Sequence, residues 1–449
     1  MTPIRVVAAL VLLAHLSPSP AVAAEAVRIE DAIRSAWREN PGLAAGAHQA
    51  AAARADARSA RDGHWPTLSV TAKGIGTSEP VGVFAVKLNQ ARITLEDFNP
   101  ATLNNPAAVT GIGLGAGIVV PIWMGGRILA GQHAAEAQAD AEASTQARRR
   151  EEMALAVVQA YFGVQVAEQG VRYADDVLAQ ARETERFVRE RNKQGFALDA
   201  DVDRTVAFRA QAEAERAAVL QQLSSARSAL AMLTGIDPSK SNLSTPVEPA
   251  QALPPVPVAT LEAGRPSAQD GRPDVVAARL RALAAEEFVG VSKGSLLPSI
   301  FAMAGVDTLR SSWSQGGTWW SAALVARWEF GASSLGGMDA AEARSAAAAS
   351  AARWQEVQAT REVEDARQAV ATAAARVRAA REAVTASESA RTLRMARYRQ
   401  GLLPLSDLLD AESALAGART LLLRSLFETR IARAQLELAM GLPVEGVQS

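Results

Sequence analysis

Residues 111–127 read GIGLGAGIVVPIWMGGR, and this stretch decides the fold. Glycine occupies every second position from Gly111 to Gly117, and apolar residues occupy the positions between. A period of two predicts a β-strand with one apolar face, and a helix would not tolerate that spacing of glycines. After Gly125-Gly126 the sequence continues to Asn192 without a proline or another pair of glycines. The chain therefore passes directly from a strand into a very long helix.

Two helices of this kind are predicted, at about 127–192 and 335–399. Both segments are rich in alanine, glutamate, glutamine and arginine. At about 1.5 Å per residue each would be a rod of roughly 100 Å, which requires lateral support from neighbouring helices in the manner of a coiled coil. Shorter helices at about 41–62 and 199–233 together nearly match one rod. We expect them to stack end to end and to lie antiparallel along it.

An internal duplication explains the paired rods. Several residues return 206 positions later (400 − 194, 407 − 201): Gln194, Gly195 and Asp201 as Gln400, Gly401 and Asp407, and Gly125 and Gly235 as Gly331 and Gly441. Upstream, Pro41 and Pro66 return as Pro273 and Pro298 at a shift of 232 (273 − 41). The first copy must therefore carry 26 extra residues (232 − 206), which fall between about 77 and 110. We expect this excess to form the larger external loop, at the end of the strands opposite the long helices.

The duplication sets the predicted organisation of the chain. A first repeat occupies 24–235, a proline-rich connecting segment 236–272, a second repeat 273–441 and a tail 442–449. The first repeat is expected to contain strands at 67–79 and 109–122 and helices at 127–192 and 199–233. The second is expected to contain strands at 299–311 and 318–330 and helices at 335–399 and 404–439. The fold class is therefore mainly α, with long antiparallel coiled-coil helices and four strands.

Composition excludes several classes of protein. The chain has 47 Lys plus Arg against 48 Asp plus Glu, and this balance gives no electrostatic reason to expect a nucleic-acid partner. It has no cysteine, so disulfides, thiolate nucleophiles and cysteine zinc sites are excluded. The histidines His48, His64 and His133 lie on or beside alanine-rich helices, and no phosphate loop or nucleophile elbow is present. We therefore expect no enzyme, no cofactor and no bound metal.

The first residues predict export. Residues 1–23 combine Arg5, an apolar stretch and the small residues Ala21-Val22-Ala23, which is the pattern of a secretory signal peptide. The apolar stretch is too short to span a bilayer, and no later segment is a candidate transmembrane helix. An exported chain of this kind is either periplasmic or held in an outer membrane by its strands.

The strand near 318–330 supports the membrane alternative. Trp320 and Trp328 share its apolar face eight residues apart, roughly 26 Å along a strand, which suits the aromatic girdles of an outer-membrane barrel. We predict that five aromatic side chains lie at the membrane interface: Trp123, Trp319, Trp320, Trp328 and Phe330. A small soluble sandwich is the alternative, because alternation is equally expected there. Four strands cannot close a pore, since the smallest barrels have about eight, so strands that span a membrane require an oligomer.

The motifs, taken in order, resemble those of the TolC family of outer-membrane efflux ducts over almost the whole mature chain. The matching segments are Asn40-Pro41, Trp65-Pro66-Thr67, residues 120–127, Tyr398-Arg399-Gln400-Gly401 and Asp407-Leu408-Leu409-Asp410-Ala411. The resemblance implies a homotrimer in the outer membrane, with four strands per protomer in a twelve-stranded barrel and a helical cylinder in the periplasm. It also implies a periplasmic adaptor and an inner-membrane pump as partners, contact with outer-membrane lipid, and no catalytic activity.

The resemblance also assigns roles to individual residues. Four residues match the turns on which the adaptor docks: Gly195, Phe196, Gly401 and Leu402. Asp407 and Asp410 match the constriction that selects cations, although both could simply be acidic residues that complement the helix dipole in a first helical turn. Tyr398 and Asp201 match residues whose links keep the duct closed, and Asp199 is a further gate candidate on the other turn. The arginine of that closing link is replaced here by Leu403.

A soluble periplasmic coiled-coil scaffold or adaptor is the alternative function. It would explain the long helices. It would not explain two strand hairpins with tryptophans spaced for a membrane interface. The duct is therefore the preferred interpretation, and its cargo, which could be a drug, a metal or a protein, is not encoded in any motif.

Overall fold

The computed structural model describes residues 25–247, 271–312, 315–329 and 331–446. The predicted signal peptide at 1–23, most of the connecting segment, Phe330 and the last residues of the tail lie outside these ranges. Among the residues that the structure describes, no helix combines the length and the apolar character needed to cross a bilayer.

From Pro41 and Pro273 onward both copies contain a helix, two strands, a long helix and a final helix in the same order. In the first copy they are β1 (Glu25–Val27), α1 (Ile29–Glu39), α2 (Pro41–Arg61), β2 (Thr67–Thr77), α3 (Pro80–Asn89), α4 (Pro100–Asn104), β3 (Val109–Trp123), α5 (Arg127–Lys193) and α6 (Asp199–Thr234). After β4 (Ser241–Leu243) the second copy contains α7 (Pro273–Gly294), β5 (Ser299–Arg310), β6 (Gly316–Arg327), α8 (Ala332–Arg399) and α9 (Leu405–Ala439). The extra α3 and α4 belong to the 26-residue excess of copy one, and α1 has no counterpart among the described residues of copy two.

The rods form as the composition predicts. Helix α5 has 67 residues and α8 has 68, and neither contains a proline. Helices α2 and α6 both pack along α5, and α7 lies between α5 and α8. The end of α6 meets α1 just before α2 begins, where the Ser35 hydroxyl of α1 donates to the Thr234 carbonyl at 2.9 Å. The two short helices are therefore stacked end to end beside the rod.

The junctions of the stacked helices are equivalent in the two copies. The Asn40 amide caps α2, accepting from Gly42 N at 2.9 Å, and its Nδ2 donates to the Leu233 carbonyl at 3.4 Å. At the corresponding position Arg272 donates from Nη1 to the Ala439 carbonyl at 3.2 Å. These carbonyls are 206 positions apart (439 − 233), so the same helix end is satisfied by the same position in each repeat.

The main core surrounds the middle of α5. Tyr161 and Phe162 are fully buried there, with their rings 5.4 Å apart in an edge-to-face arrangement. The Tyr161 hydroxyl donates to the Val27 carbonyl at 2.7 Å and accepts from Thr245 N at 2.9 Å. It thereby holds β1 and β4, which pair in parallel, against the rod. The connecting segment is thus anchored at its described beginning.

The four long strands form one antiparallel sheet in the order β2-β3-β5-β6. Each repeat supplies one hairpin, and the hairpins join through β3 and β5, with Gly117 opposite Gly305. Strands β2 and β6 are the edges, and within the described residues neither has a second neighbouring strand. The sheet is therefore open on both sides in the single chain.

The equivalent junctions give a matched test. Arg272 is fully buried and its Nη2 lies 2.6 Å from Asp274 Oδ2, so Arg272→Ala removes the charged partner of a largely buried carboxylate and leaves it the Gln355 amide, whose Nε2 donates at 2.8 Å. We expect a loss of about 3 kcal/mol or more in the free energy of unfolding. Asn40→Ala removes a helix cap and one long hydrogen bond to the Leu233 carbonyl, but no charged partner, and should cost about 1 kcal/mol. Denaturant unfolding followed by circular dichroism compares the two, and an equal or smaller loss for Arg272→Ala would contradict the assignment.

Candidate functional site

One face of the sheet is apolar and uncovered in the single chain. Directly paired residues share a face, and the register places Val70, Ala116, Val306 and Trp320 in one row across the four strands. Seven large side chains of this face are 50–78 % exposed: Leu68, Val70, Ile112, Leu114, Val306, Trp320 and Leu324. A continuous apolar surface of this kind marks contact with a partner or with lipid.

The opposite face combines glycines and polar residues with some apolar ones, such as Met303 and Leu309. It carries the alternating glycines of 111–117, and Lys73 Nζ lies 3.7 Å from Asp307 Oδ1 across them. A Cβ at Gly113 would be 2.8 Å from Lys73 Cε, and one at Gly115 would be 2.6 Å from Asp307 Oδ1. The glycines therefore leave room for an ion pair on the face that points away from the apolar surface.

The interface aromatics are divided between the two faces. Trp320 is 77 % exposed on the apolar face, and Trp123 and Trp328, at or just past the strand ends, are 43 % and 68 % exposed. The Trp328 indole N–H donates to the Leu296 carbonyl at 3.0 Å. Trp319, however, lies opposite Asp307 on the polar face. Trp319 and Trp320 lie on different faces because neighbours in a strand point to opposite sides, and the place of Trp319 at the membrane interface stays a prediction.

The two turns at the far end of the rods have the same geometry. Gly195 and Gly401 adopt φ values of +79° and +77°, in the left-handed region that favours glycine. Phe196 N donates to the Arg191 carbonyl at 2.8 Å, and Leu402 N donates to the Arg397 carbonyl at 3.0 Å. These are Schellman motifs, which satisfy the last carbonyls of each helix. They leave Phe196 and Leu402 largely exposed at the tip.

The turns are joined by a small core. Tyr398 packs with Val188, Leu405, Leu408 and Leu409. Burial raises the pKa of Tyr398, and the nearby Asp201 carboxylate raises that pKa further. The predicted pair of Tyr398 and Asp201 is thus close together within one chain.

Arg191 is a residue of this site that the sequence did not single out. Its Nη1 donates to the Tyr398 carbonyl at 3.1 Å, and its guanidinium lies 5.9 Å from the Phe187 ring and 5.8 Å from the Tyr398 ring. It therefore ties the tip of α5 to the tip of α8. The duplication pairs Arg191 with Arg397, but it does not show that Arg191 contacts Tyr398, because that contact joins two different helices.

The four candidate gate carboxylates lie at the helix starts beside the turns. Asp199 accepts from the Asn192 amide at 3.0 Å, and Asp201 accepts from Leu198 N at 3.4 Å. Asp407 is half-buried and accepts from the Ser406 hydroxyl at 3.4 Å. Asp410 is exposed and is the sixth residue of α9. The helix dipole acts mainly within the first turn, so it accounts for Asp199, Asp201 and Asp407 but not for Asp410.

In the described part of the chain, no three His, Asp or Glu side chains come together in a group that could hold a metal ion. The features that stand out in the described residues are instead an exposed apolar face of the sheet, a second face behind it, and long helices that end in paired turns. Together they define a membrane-anchored helical channel protein.

Comparison with known proteins identifies the family. The family model described as outer membrane efflux protein matches residues 32–236 and 265–442, and the chain belongs to this family. It is therefore an outer-membrane efflux duct with a large periplasmic helical part, and the soluble-scaffold alternative is not favoured. The comparison with curated protein sequences gives no significant match.

Solved structures share the fold. A membrane protein from Pseudomonas aeruginosa is similar at a TM-score of 0.80 and 22% identity, over 95% of this chain and 93% of that one. The Campylobacter jejuni CmeC outer membrane channel has a TM-score of 0.79 and 15% identity, over 94% and 87%. The outer membrane protein VceC from Vibrio cholerae has a TM-score of 0.74 and 21% identity, over 93% and 96%.

Because of the turn geometry, glycine-to-alanine substitutions at two positions should change the stability of the chain in opposite directions. Gly401→Ala places a side chain at positive φ and should destabilise the chain by about 1 kcal/mol. Gly417→Ala, inside α9 with no atom within 4 Å of the added Cβ, should stabilise it by about 0.5–1 kcal/mol. Thermal midpoints of the two purified variants test this, and a stabilising Gly401→Ala would exclude the required left-handed turn.

Proposed function

We propose that three copies of this chain form the exit duct of a tripartite efflux or type I secretion system. The observation that carries the proposal is the open four-stranded sheet with one apolar face. In hydrocarbon, unpaired backbone groups at a sheet edge cost several kcal/mol each, so β2 and β6 must pair with other copies.

Three copies is the number that the resemblance to the TolC family implies, and the strand count is consistent with it. Two copies would supply eight strands, and a barrel of about eight strands is filled by its own side chains. Three copies supply twelve and leave an open interior. The alternating glycines of β3 widen that interior further, because they add no side chains to the wall.

A periplasmic adaptor is proposed to dock on the two turns. Gly195 and Gly401 form the two tight turns. Each is followed by an exposed apolar residue, Phe196 at 72 % and Leu402 at 68 % exposure. Exposed apolar side chains at a rigid tip are typical of a protein contact. The adaptor would connect the duct to an inner-membrane pump. We assign the chain no catalytic role.

The gate is proposed to lie just inside these turns. Asp407 and Asp410 lie three residues apart on the side of α9 that is not packed against the protomer's own core. Around a threefold axis they would supply six carboxylates to one narrow ring. In a passage with little water, such a ring attracts cations and repels anions more strongly than the same charges at an open surface.

The closing link is proposed to involve Arg191. In the TolC family an arginine at the position of Leu403 takes part in holding neighbouring helix pairs together. Here Leu403 cannot do so, whereas Arg191 reaches the same turn from the other hairpin and binds the Tyr398 carbonyl. The guanidinium would then hold the two hairpin tips together in the closed duct.

Replacing Asp407 and Asp410 by Asn tests the gate. The change keeps the side-chain shape and removes the charge, so assembly should survive while cation preference in planar bilayers falls. The matched variant, Asp199→Asn with Asp201→Asn, removes two carboxylates from the other turn. If selectivity is lost only in this second variant, the gate lies on the α5–α6 turn instead.

Arg191→Ala tests the closing link. Loss of the contacts to the second hairpin should raise the conductance or the open fraction of single channels in planar bilayers. Arg186→Ala is the control, because among the described residues Arg186 donates to the Arg182 carbonyl of its own helix and to no residue of the second hairpin. Equal conductance of Arg191→Ala and the unchanged protein would show that the tips are held by other contacts.

A further inference from the structure

The 26-residue excess of copy one is a folded cap. It consists of α3, a 3₁₀ turn at Leu95–Phe98 and α4. Lys87 Nζ lies 2.6 Å from Asp97 Oδ1, and this contact lowers the pKa of Asp97 to about 2. The Phe84 and Phe98 rings meet edge to face at 5.7 Å. These contacts hold α3 in one orientation relative to the rest of the loop.

Helix α3 rests on the glycine face of the sheet. Gln90, 1% exposed, donates from Nε2 to the Thr110 carbonyl at 2.9 Å. A Cβ on Gly111 would be 2.6 Å from that nitrogen, and a Cβ on Gly317 would be 2.4 Å from the Asn89 carbonyl oxygen. Both glycines lie at the end of the sheet remote from the rods, on the face that carries Lys73 and Asp307. The helix therefore covers the inner wall at the outer mouth.

The other side of α3 is apolar and exposed. Val81 and Leu88 are 76 % and 56 % exposed, and Ala85 between them is also exposed. At 3.6 residues per turn these three positions share one side, about 150° around the helix from Val86 and Gln90. A helix that lies on the concave wall of a barrel presents the side away from the wall to the axis.

We propose that Val81, Ala85 and Leu88 of three protomers meet around the axis and form an apolar collar at the outer mouth of the duct. The occupant of this helix face is thus the same face of a second copy, and the inference rests on the proposed trimer. Helix α3 begins three residues after Thr77, the end of edge strand β2 (80 − 77), so the collar continues the seam between protomers. An apolar constriction loses water and excludes polar solutes, so the three helices of the collar would have to move apart for cargo to pass.

Size-selective labelling from outside the cell tests the collar. The chain has no cysteine, so Thr71→Cys on the glycine face is a unique reporter below α3. A small sulfonated maleimide should label this reporter in intact cells, and a maleimide with a bulky polyethylene glycol chain should not. Adding Val81→Ser and Leu88→Ser should remove the exclusion of the bulky reagent. Adding Leu68→Ser, which replaces a 73 % exposed leucine on the lipid face, should leave the exclusion intact.

Cross-linking identifies the occupant. Leu88→Cys, oxidised in intact cells, should give covalent dimers of the chain, whereas Ile112→Cys, near the same end but on the apolar outer face, should not. A chain that forms trimers but is freely labelled by the bulky reagent at position 71, or gives no covalent dimer at position 88, would overturn the collar and leave the duct standing. A chain that forms no trimer would overturn both.

Discussion

An antiparallel sheet of four strands ends in two edges whose backbone N–H and C=O groups need partners, and the rest of the structure depends on how this need is met. Within the described residues β2 and β6 each have one neighbour only. The apolar face would lie in hydrocarbon, where no water replaces the missing partners. Pairing between copies satisfies both edges at once. This pairing also fixes the positions of the long helices, because β3 leads directly into α5 and β6 into α8. If the sheets close into a barrel, the long helices must stand side by side in a ring.

Because the chain is duplicated, the same local motifs end the helices and form the turns in both copies. Each rod ends in a Schellman turn at a left-handed glycine, and each short helix end is capped from the position before a proline, by Asn40 or by Arg272. The copies differ where function needs them to differ. Copy one carries the additional helices α3 and α4, and copy two carries Asp410 at a position where copy one has Arg204 (410 − 206). An exit duct needs an outer and an inner end, and the two repeats are specialised accordingly.

Much of this could be predicted from sequence because the signals are local. Glycine at every second position excludes a helix and predicts a strand. A run of 67 alanine-rich residues without proline predicts a long helix and excludes most other structures. The face of Trp319 was also predictable, since alternation separates it from Trp320. The contact of Arg191 with Tyr398 was not, because it joins residues 207 positions apart with no shared motif (398 − 191). The folded conformation of the loop between β2 and β3 could not be predicted either. It depends on the contact between Lys87 and Asp97, which a 3₁₀ turn brings together and which composition does not specify.

Hydrogen exchange of the strand amides in the detergent-solubilised complex tests the central claim most directly. If neighbouring copies pair edge to edge, Thr67–Thr77 and Gly316–Arg327 should be protected as strongly as the inner strands Val109–Trp123 and Ser299–Arg310. Fast exchange confined to the two outer strands, with the inner strands protected, would mean that the sheet stays open and that the chain does not close a barrel.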